Sequence, residues 1–553
     1  MRALARAGLA LGALFAVSSL GAQQRAFHVI NYDLTLDLPE AGKTIDGVAK
    51  LTVYKRGRGD TLALDLLDLK AKRVLIGGAP KPFRQDASHV LIPVTMGFGD
   101  TIVVTVEYGG AVTDGLVIGT DSAGRWMAFG DNWPNRARRW IPSIDHPSDK
   151  STVTWTVRAP SDRKVVANGQ LVEESRIPRA ADPDGSAGRP VARTLTRWRE
   201  TRPIPAYLMV IAAAPLVRYD LGATACGLAE IGRCVEQSVY VAPEQQRILP
   251  GEFRRAGDIV EFYSRLVGTF PYEKLAHLQS STRYGGMENA GAIFYADGLF
   301  RRGGVGSSLI AHETAHQWFG DAVTEGEWGH VWLSEGFATY FAALYAGHAF
   351  GDSALTAEMS KTRAQLIKSA VVASRPVIDT TQTDLMALLN ENSYQKGGWV
   401  LHMLRSTIGD SAFFGGIREY YAQFRHQNAL TDDLRAAMEN HIVPGGSAVG
   451  ALKWFFDQWL TRPGVAQVTT SWTYDATTRR VTLEVEQGSR FAPYRFPLTV
   501  DVTDARGVVH RGVVEIPAQL HTRVVLPVII ADGPPRALLV DPAVQLLAEL
   551  RAR

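Results

Sequence analysis

Cysteine is nearly missing: Cys226 and Cys234 are the only two in 553 residues. That excludes a cysteine-built metal scaffold, an iron–sulfur protein and a small disulfide framework. An excess of one charge is missing too. With 59 basic and 56 acidic residues the formal net charge is +3. No basic run is long enough to form a nucleic-acid face, so no nucleic-acid partner is implied. Beyond the amino terminus no apolar run reaches the ~20 residues that cross a bilayer as a helix, so no stable membrane span is expected. Solenoid-period repeats and low-complexity tracts are also absent.

What remains is an ordinary globular composition. Hydrophobic residues make up 46% of the chain, ample for the cores of about three or four domains at this length. The amino terminus reads as an export signal. Arg2 and Arg6 form a basic start, Ala7 to Leu20 a short apolar stretch, and Gly21 and Ala22 small residues at a cleavage point. Residues 1–22 are therefore expected to be a signal peptide, and the protein periplasmic or extracellular. An uncleaved anchor is the alternative, disfavoured by the shortness of the apolar run. Cys226 and Cys234 lie in a stretch that reads as a hairpin. A local disulfide suits an oxidising compartment, and two free buried thiols are the other possibility.

Periodicity divides the rest. Tyr32 to Leu38 alternates at period two, and strands recur near Leu51–Val53, Ile102–Val104 and Thr152–Val157, predicting an N-terminal β-sheet domain over 23–236. Within it, Ile177 to Pro190 is rich in proline and glycine and reads as a surface loop. Helical periodicity begins near Phe253 and runs to Trp459, giving a mainly α domain over 237–463. After Arg462-Pro463-Gly464 strand patterns return at Val481–Val485 and Leu498–Val502, predicting a β-sandwich over 464–553. The fold class is multidomain α+β.

The chemistry concentrates in His312-Glu313-Thr314-Ala315-His316, followed after eighteen residues by Glu335. On a helix, positions i and i+4 share a face, so both imidazoles can reach one metal while Glu313, about 100° round, stays free as a general base. Ser307-Ser308 offers an N-cap for that helix. Glu335 lies in Trp332-Leu333-Ser334-Glu335-Gly336-Phe337, an apolar setting where an unpaired carboxylate would be costly and a metal would remove the cost. Two imidazoles and a carboxylate leave a fourth position for water. One Zn2+ per chain is expected. Upstream, Gly285-Gly286-Met287-Glu288-Asn289 is by itself only a turn. Beside a metal centre, a carboxylate in a partly dehydrated cleft is the simplest complement to a free α-ammonium.

These stretches, with Tyr394-Gln395-Lys396-Gly397 and a weaker Arg138, Pro142, Asp145, Pro147 pattern, resemble the aminopeptidase N family of zinc metallopeptidases, which includes the leukotriene hydrolases. The likeness runs through roughly residues 30 to 465. It implies a saddle-like N-terminal sheet, a thermolysin-like catalytic domain, and zinc held by His312, His316 and Glu335. It implies Glu313 as base and then acid, and Tyr394 as donor to the oxyanion. Gly285, Gly286, Met287, Glu288 and Asn289 would bind a peptide by its free amino terminus. Many members continue into a large helical domain after the sandwich. This sequence stops before one, so a more open cleft or closure by a partner subunit is expected, with the oligomeric state open.

The sequence departs from the family at one point. Where the family places a second amine-binding glutamate or glutamine, Asp131-Asn132-Trp133-Pro134-Asn135 has Trp133. Trp133 is expected to wall the first side-chain pocket, with Asp131 or Asn132 assisting the amine; the alternative is a purely structural loop. Two further readings stay open. A thermolysin-like endopeptidase shares the metal ligands but leaves Gly285 to Asn289 unexplained, and a non-catalytic peptide-binding scaffold would keep the fold alone.

Overall fold

The computed structural model describes residues 26–177, 192–227, 232–248, 253–443 and 448–553. The expected signal peptide lies outside them, as does nearly all of the loop at 177–190. Strand Phe27–Asp37 turns Tyr32, Leu34 and Leu36 inward, the alternation of a strand covered on one face. It pairs antiparallel with Thr44–Lys55 and parallel with Lys150–Pro160 inside an eight-stranded sheet. The stretches read as strands near Leu51, Ile102 and Thr152 fall within Thr44–Lys55, Thr101–Ala111 and Lys150–Pro160.

Strands Val217–Ala225 and Arg233–Val241 form the next hairpin, closed by a disulfide between Cys226 and Cys234 with their Cα atoms 5.6 Å apart. Arg233–Val241 then pairs in parallel with Lys274–Ser280, so this hairpin is built into the five-stranded sheet of the catalytic unit. The boundary expected at 236/237 falls inside that strand, and sheet pairing moves the break upstream to the segment after Ile211–Ala214. The last strand of the five, Gly286–Met287, pairs on one side only, with Ala292–Ala296.

Helix Ser307–His316 packs against this sheet and against Trp332–Phe350. Its N-cap is Gly306, and no side chain caps it. The cap expected from Ser307-Ser308 is not formed, because both serines already lie in the first turn. Helix Trp332–Phe350 is buried without a break from Trp332 to Ala338, which makes it a core helix rather than an amphipathic one. It approaches helix Gly397–Ile408 glycine to glycine: a Cβ on Gly336 would sit 2.8 Å from the Gly397 carbonyl carbon. That approach brings the π-helical turn Asn392–Lys396 beside Glu335. The C-terminal strands form one four-stranded and one three-stranded sheet, with Leu483, Val485, Leu498 and Val500 filling the space between.

Candidate metal centre and substrate cleft

Helical spacing sets His312 and His316 on one face, and the core helix brings Glu335 to them from the other side. Their ligating atoms converge. The two Nε2 atoms lie 3.2 Å apart, and Glu335 Oε2 is 3.4 Å from His312 Nε2 and 3.3 Å from His316 Nε2. A tetrahedral ion with bonds of 2.0–2.2 Å needs ligand atoms roughly 3.3–3.5 Å apart. The three residues therefore fit a zinc-sized cation. Two further observations agree. Glu335 Oε2 is buried with no hydrogen-bond partner, a cost that a cation would remove. His316 Nδ1 lies 3.1 Å from the Phe319 carbonyl, an acceptor only, so Nδ1 carries a proton and Nε2 is the nitrogen turned to a metal. Ser334 Oγ, 3.0 Å from the same Nδ1, adds a second restraint that the sequence reading missed, although Ser334 directly precedes Glu335.

The electrostatics separate the acids. Burial opposes ionisation of Glu335, but His316 and His312 outweigh it and hold this carboxyl down at about 2. Burial pushes Glu313 well above the usual carboxylate range, with Glu288 and Glu335 adding to the rise and His316 opposing it. Burial likewise raises Glu288 to about 7, where His316 is the main counterweight. The Tyr394 hydroxyl donates to Glu335 Oε1 at 2.7 Å, and burial followed by Glu335 raises it well above the usual phenol range. It stays a proton donor.

These groups share one cavity of about 960 Å³, lined by His312, Glu313, His316, Glu335, Tyr394, Gly285, Gly286, Met287, Glu288 and Trp133. Asn289 does not line it. This residue is fully buried. A Cβ on Gly286 would sit 2.1 Å from Glu313 Oε1, so a larger residue there would displace the Glu313 side chain. Trp133 does wall the cavity, packed edge-on against Tyr284 and Trp328 at ring distances of 6.4 and 5.6 Å. Tyr284, unremarked in the sequence, also lines it and donates to the Trp133 carbonyl at 3.3 Å. Asp131 and Asn132 are committed elsewhere. Asp131 pairs with Arg136 and Arg283, and Asn132 accepts from Trp140 Nε1 and donates to the Met209 carbonyl, so neither is free for a substrate amine.

A helix with two imidazoles on one face and an unligated carboxylate on the next, alongside an open strand edge, is the arrangement of metal-dependent peptidases. Residues 253–459 match the Peptidase family M1 domain and residues 28–208 the Peptidase M1 N-terminal domain. The chain belongs to peptidase family M1. It is 25% identical over 507 residues to a leucyl aminopeptidase of Saccharolobus solfataricus, covering 86% of this chain and 58% of that protein. It thus spans under two thirds of that relative's length. An M1 zinc metallopeptidase from Deinococcus radiodurans superposes with a TM-score of 0.67 at 25% identity, over 80% of this chain and 95% of that one. Legionella pneumophila aminopeptidase A, solved with aspartic acid, shares the fold at a TM-score of 0.80 and 16% identity, over 96% of this chain and 60% of that one.

Proposed function

We propose that the chain is a zinc aminopeptidase that removes the first residue of peptides. The supporting observation is the short separation of three groups. Carboxylate oxygens of Glu288 and Glu313 and a ring nitrogen of His316 all lie within 4.8 Å of one another. An α-ammonium held by Glu288 has its own carbonyl carbon about 2.5 Å away along the chain. This spacing supports cleavage at the first peptide bond rather than a later one.

Bound zinc would polarise the scissile carbonyl and acidify the attacking water. The chain supplies the rest. Glu313, with its proton affinity raised by burial, takes the proton from water and passes it to the leaving amine. The Tyr394 hydroxyl, which donates its one proton to Glu335 Oε1 in the free protein, turns that proton to the oxygen where negative charge develops. Glu288 holds the ammonium, and the unpaired edge of Gly286–Met287 aligns the peptide as an added strand. Trp133 and Met287 give the first side chain an apolar wall.

Export is part of this reading. The Cys226–Cys234 disulfide suits an oxidising compartment. Among the described residues no helix is long and apolar enough to cross a membrane.

The test is hydrolysis of leucine p-nitroanilide by the purified chain, repeated after chelation and after zinc is restored, with the N-acetylated substrate alongside. Activity lost on chelation, regained with zinc and confined to the free amine is expected. Equal cleavage of the acetylated substrate would refute the aminopeptidase reading, and indifference to chelation would refute the metal.

A further inference from the structure

We propose that two buried carboxamides, Gln317 and Asn168, are positioning residues that clamp the segment carrying Glu288 at a fixed distance from the metal ligands. The inference rests on the aminopeptidase reading and assigns what sets its one-residue register.

Glu288 sits on a short piece of chain. The strand before it has two paired residues, and the chain reverses at Gly291, whose φ is +66°, before Ala292–Ala296 begins. Hydrogen bonds within this turn are few: the Ala292 N–H donates to the Asn289 carbonyl and the Ala296 N–H to the Gly285 carbonyl. Such a turn does not by itself fix a carboxylate against a helix packed across it. Outside groups do so.

Gln317 directly follows His316 and is fully buried. Its Nε2 donates to the Glu288 carbonyl at 2.7 Å and to Asp321 Oδ2 at 2.9 Å, while its Oε1 accepts from the Gly291 N–H at 2.8 Å. The residue next to a metal ligand therefore grips the amine-anchoring segment at both ends of its turn. Asn168 comes from the N-terminal domain and is equally buried. Its Nδ2 donates to the Ala290 carbonyl at 2.9 Å and to the Leu208 carbonyl at 2.9 Å, and its Oδ1 accepts from the Val210 N–H at 2.7 Å. Glu288, Ala290 and Gly291 are thus held from the metal helix on one side and from the N-terminal domain on the other. Both amides use both donor hydrogens, and each oxygen accepts one backbone N–H, so neither has a donor left for another partner. Register matters here because a misplacement of ~1 Å can cost on the order of 10²-fold in rate.

The test uses two inhibitors. Acetohydroxamate reaches the metal alone, whereas L-leucine hydroxamate spans the metal and the amine anchor. In the near-isosteric Gln317→Met and Asn168→Leu variants of the zinc-loaded full chain, the Ki of leucine hydroxamate should rise about tenfold or more, while that of acetohydroxamate stays within about twofold. Metal content should hold at the wild-type level, and KM for leucine p-nitroanilide should rise more than kcat falls. Gln317→Asn, which keeps the carboxamide but holds it one methylene short of its partners, is the milder variant should Gln317→Met fail to fold. If both inhibitors weaken in step, or neither weakens, the clamp is refuted. Failure of the aminopeptidase reading would show separately, as wild-type cleavage of acetylated peptides.

Discussion

Burial is what makes Glu313 useful. A carboxylate in water holds its proton too weakly to work as a base near neutrality, and removal from solvent beside Glu288 raises that affinity. Because Glu313 lies outside the three converging ligand atoms, Glu313→Gln should keep its metal and lose roughly 10²–10⁴ in kcat. Tyr394→Phe should lose about 10²–10³ in kcat with KM little changed, since its hydroxyl serves the developing charge more than the bound substrate. Steady-state kinetics with metal analysis on the same samples checks both, and a metal-free Glu313→Gln protein would return that residue to the ligand set. The roles proposed for His312, Glu313, His316 and Glu335 were legible in the sequence because helix periodicity and an acid stranded in an apolar run are local signals. Asp131 is the opposite case: no local pattern announces that it pairs with Arg136, five residues on, or with Arg283, 152 positions away, since the fold alone brings these side chains together.

At the scale of elements, the site depends on places where side chains are missing. Gly286 leaves room for Glu313, and Gly336 and Gly397 let two helices approach so closely that the turn bearing Tyr394 reaches Glu335. Gly336→Ala puts a methyl group 2.8 Å from the Gly397 carbonyl carbon, against backbone that cannot rotate away. Overpacking of this kind costs about 1–3 kcal/mol. The expected result is a lower midpoint in urea unfolding together with reduced kcat, as the helices separate and the Tyr394 hydroxyl moves from Glu335. A variant of wild-type stability would show that the helices have slack to spare. Strand and helix positions were largely legible from periodicity. The N-cap was not, because Ser307 and Ser308 satisfy the residue preference for a cap, but the chain enters the helix one residue earlier, at Gly306.

Across the whole molecule the domains are pinned together beside the metal helix by a lysine that no local motif singles out. Lys150 opens a strand of the N-terminal domain, and its Nζ donates to the carbonyls of Asp321, Ala322 and Gln427 at 2.9, 2.8 and 3.1 Å. Burial lowers its pKa to about 7, with Asp321 and Glu325 pulling the other way. In the unfolded chain a lysine titrates near ~10.4. Between about 7 and about 10, the unfolded chain therefore holds a proton that the folded protein lacks, so raising the pH through that window favours the folded state. Below about 7 both states are protonated, and the contribution of Lys150 sits at its least favourable, constant value. Lys150→Met removes the donor from three buried carbonyls, which should cost about 1–3 kcal/mol at pH 7. It should also flatten the rise in stability between pH 7 and pH 10 relative to wild type. Urea unfolding of both proteins at several pH values across that window checks the two effects together. Parallel pH profiles would mean that Lys150 stays charged in the folded protein, the form whose three ammonium hydrogens match three carbonyls one for one.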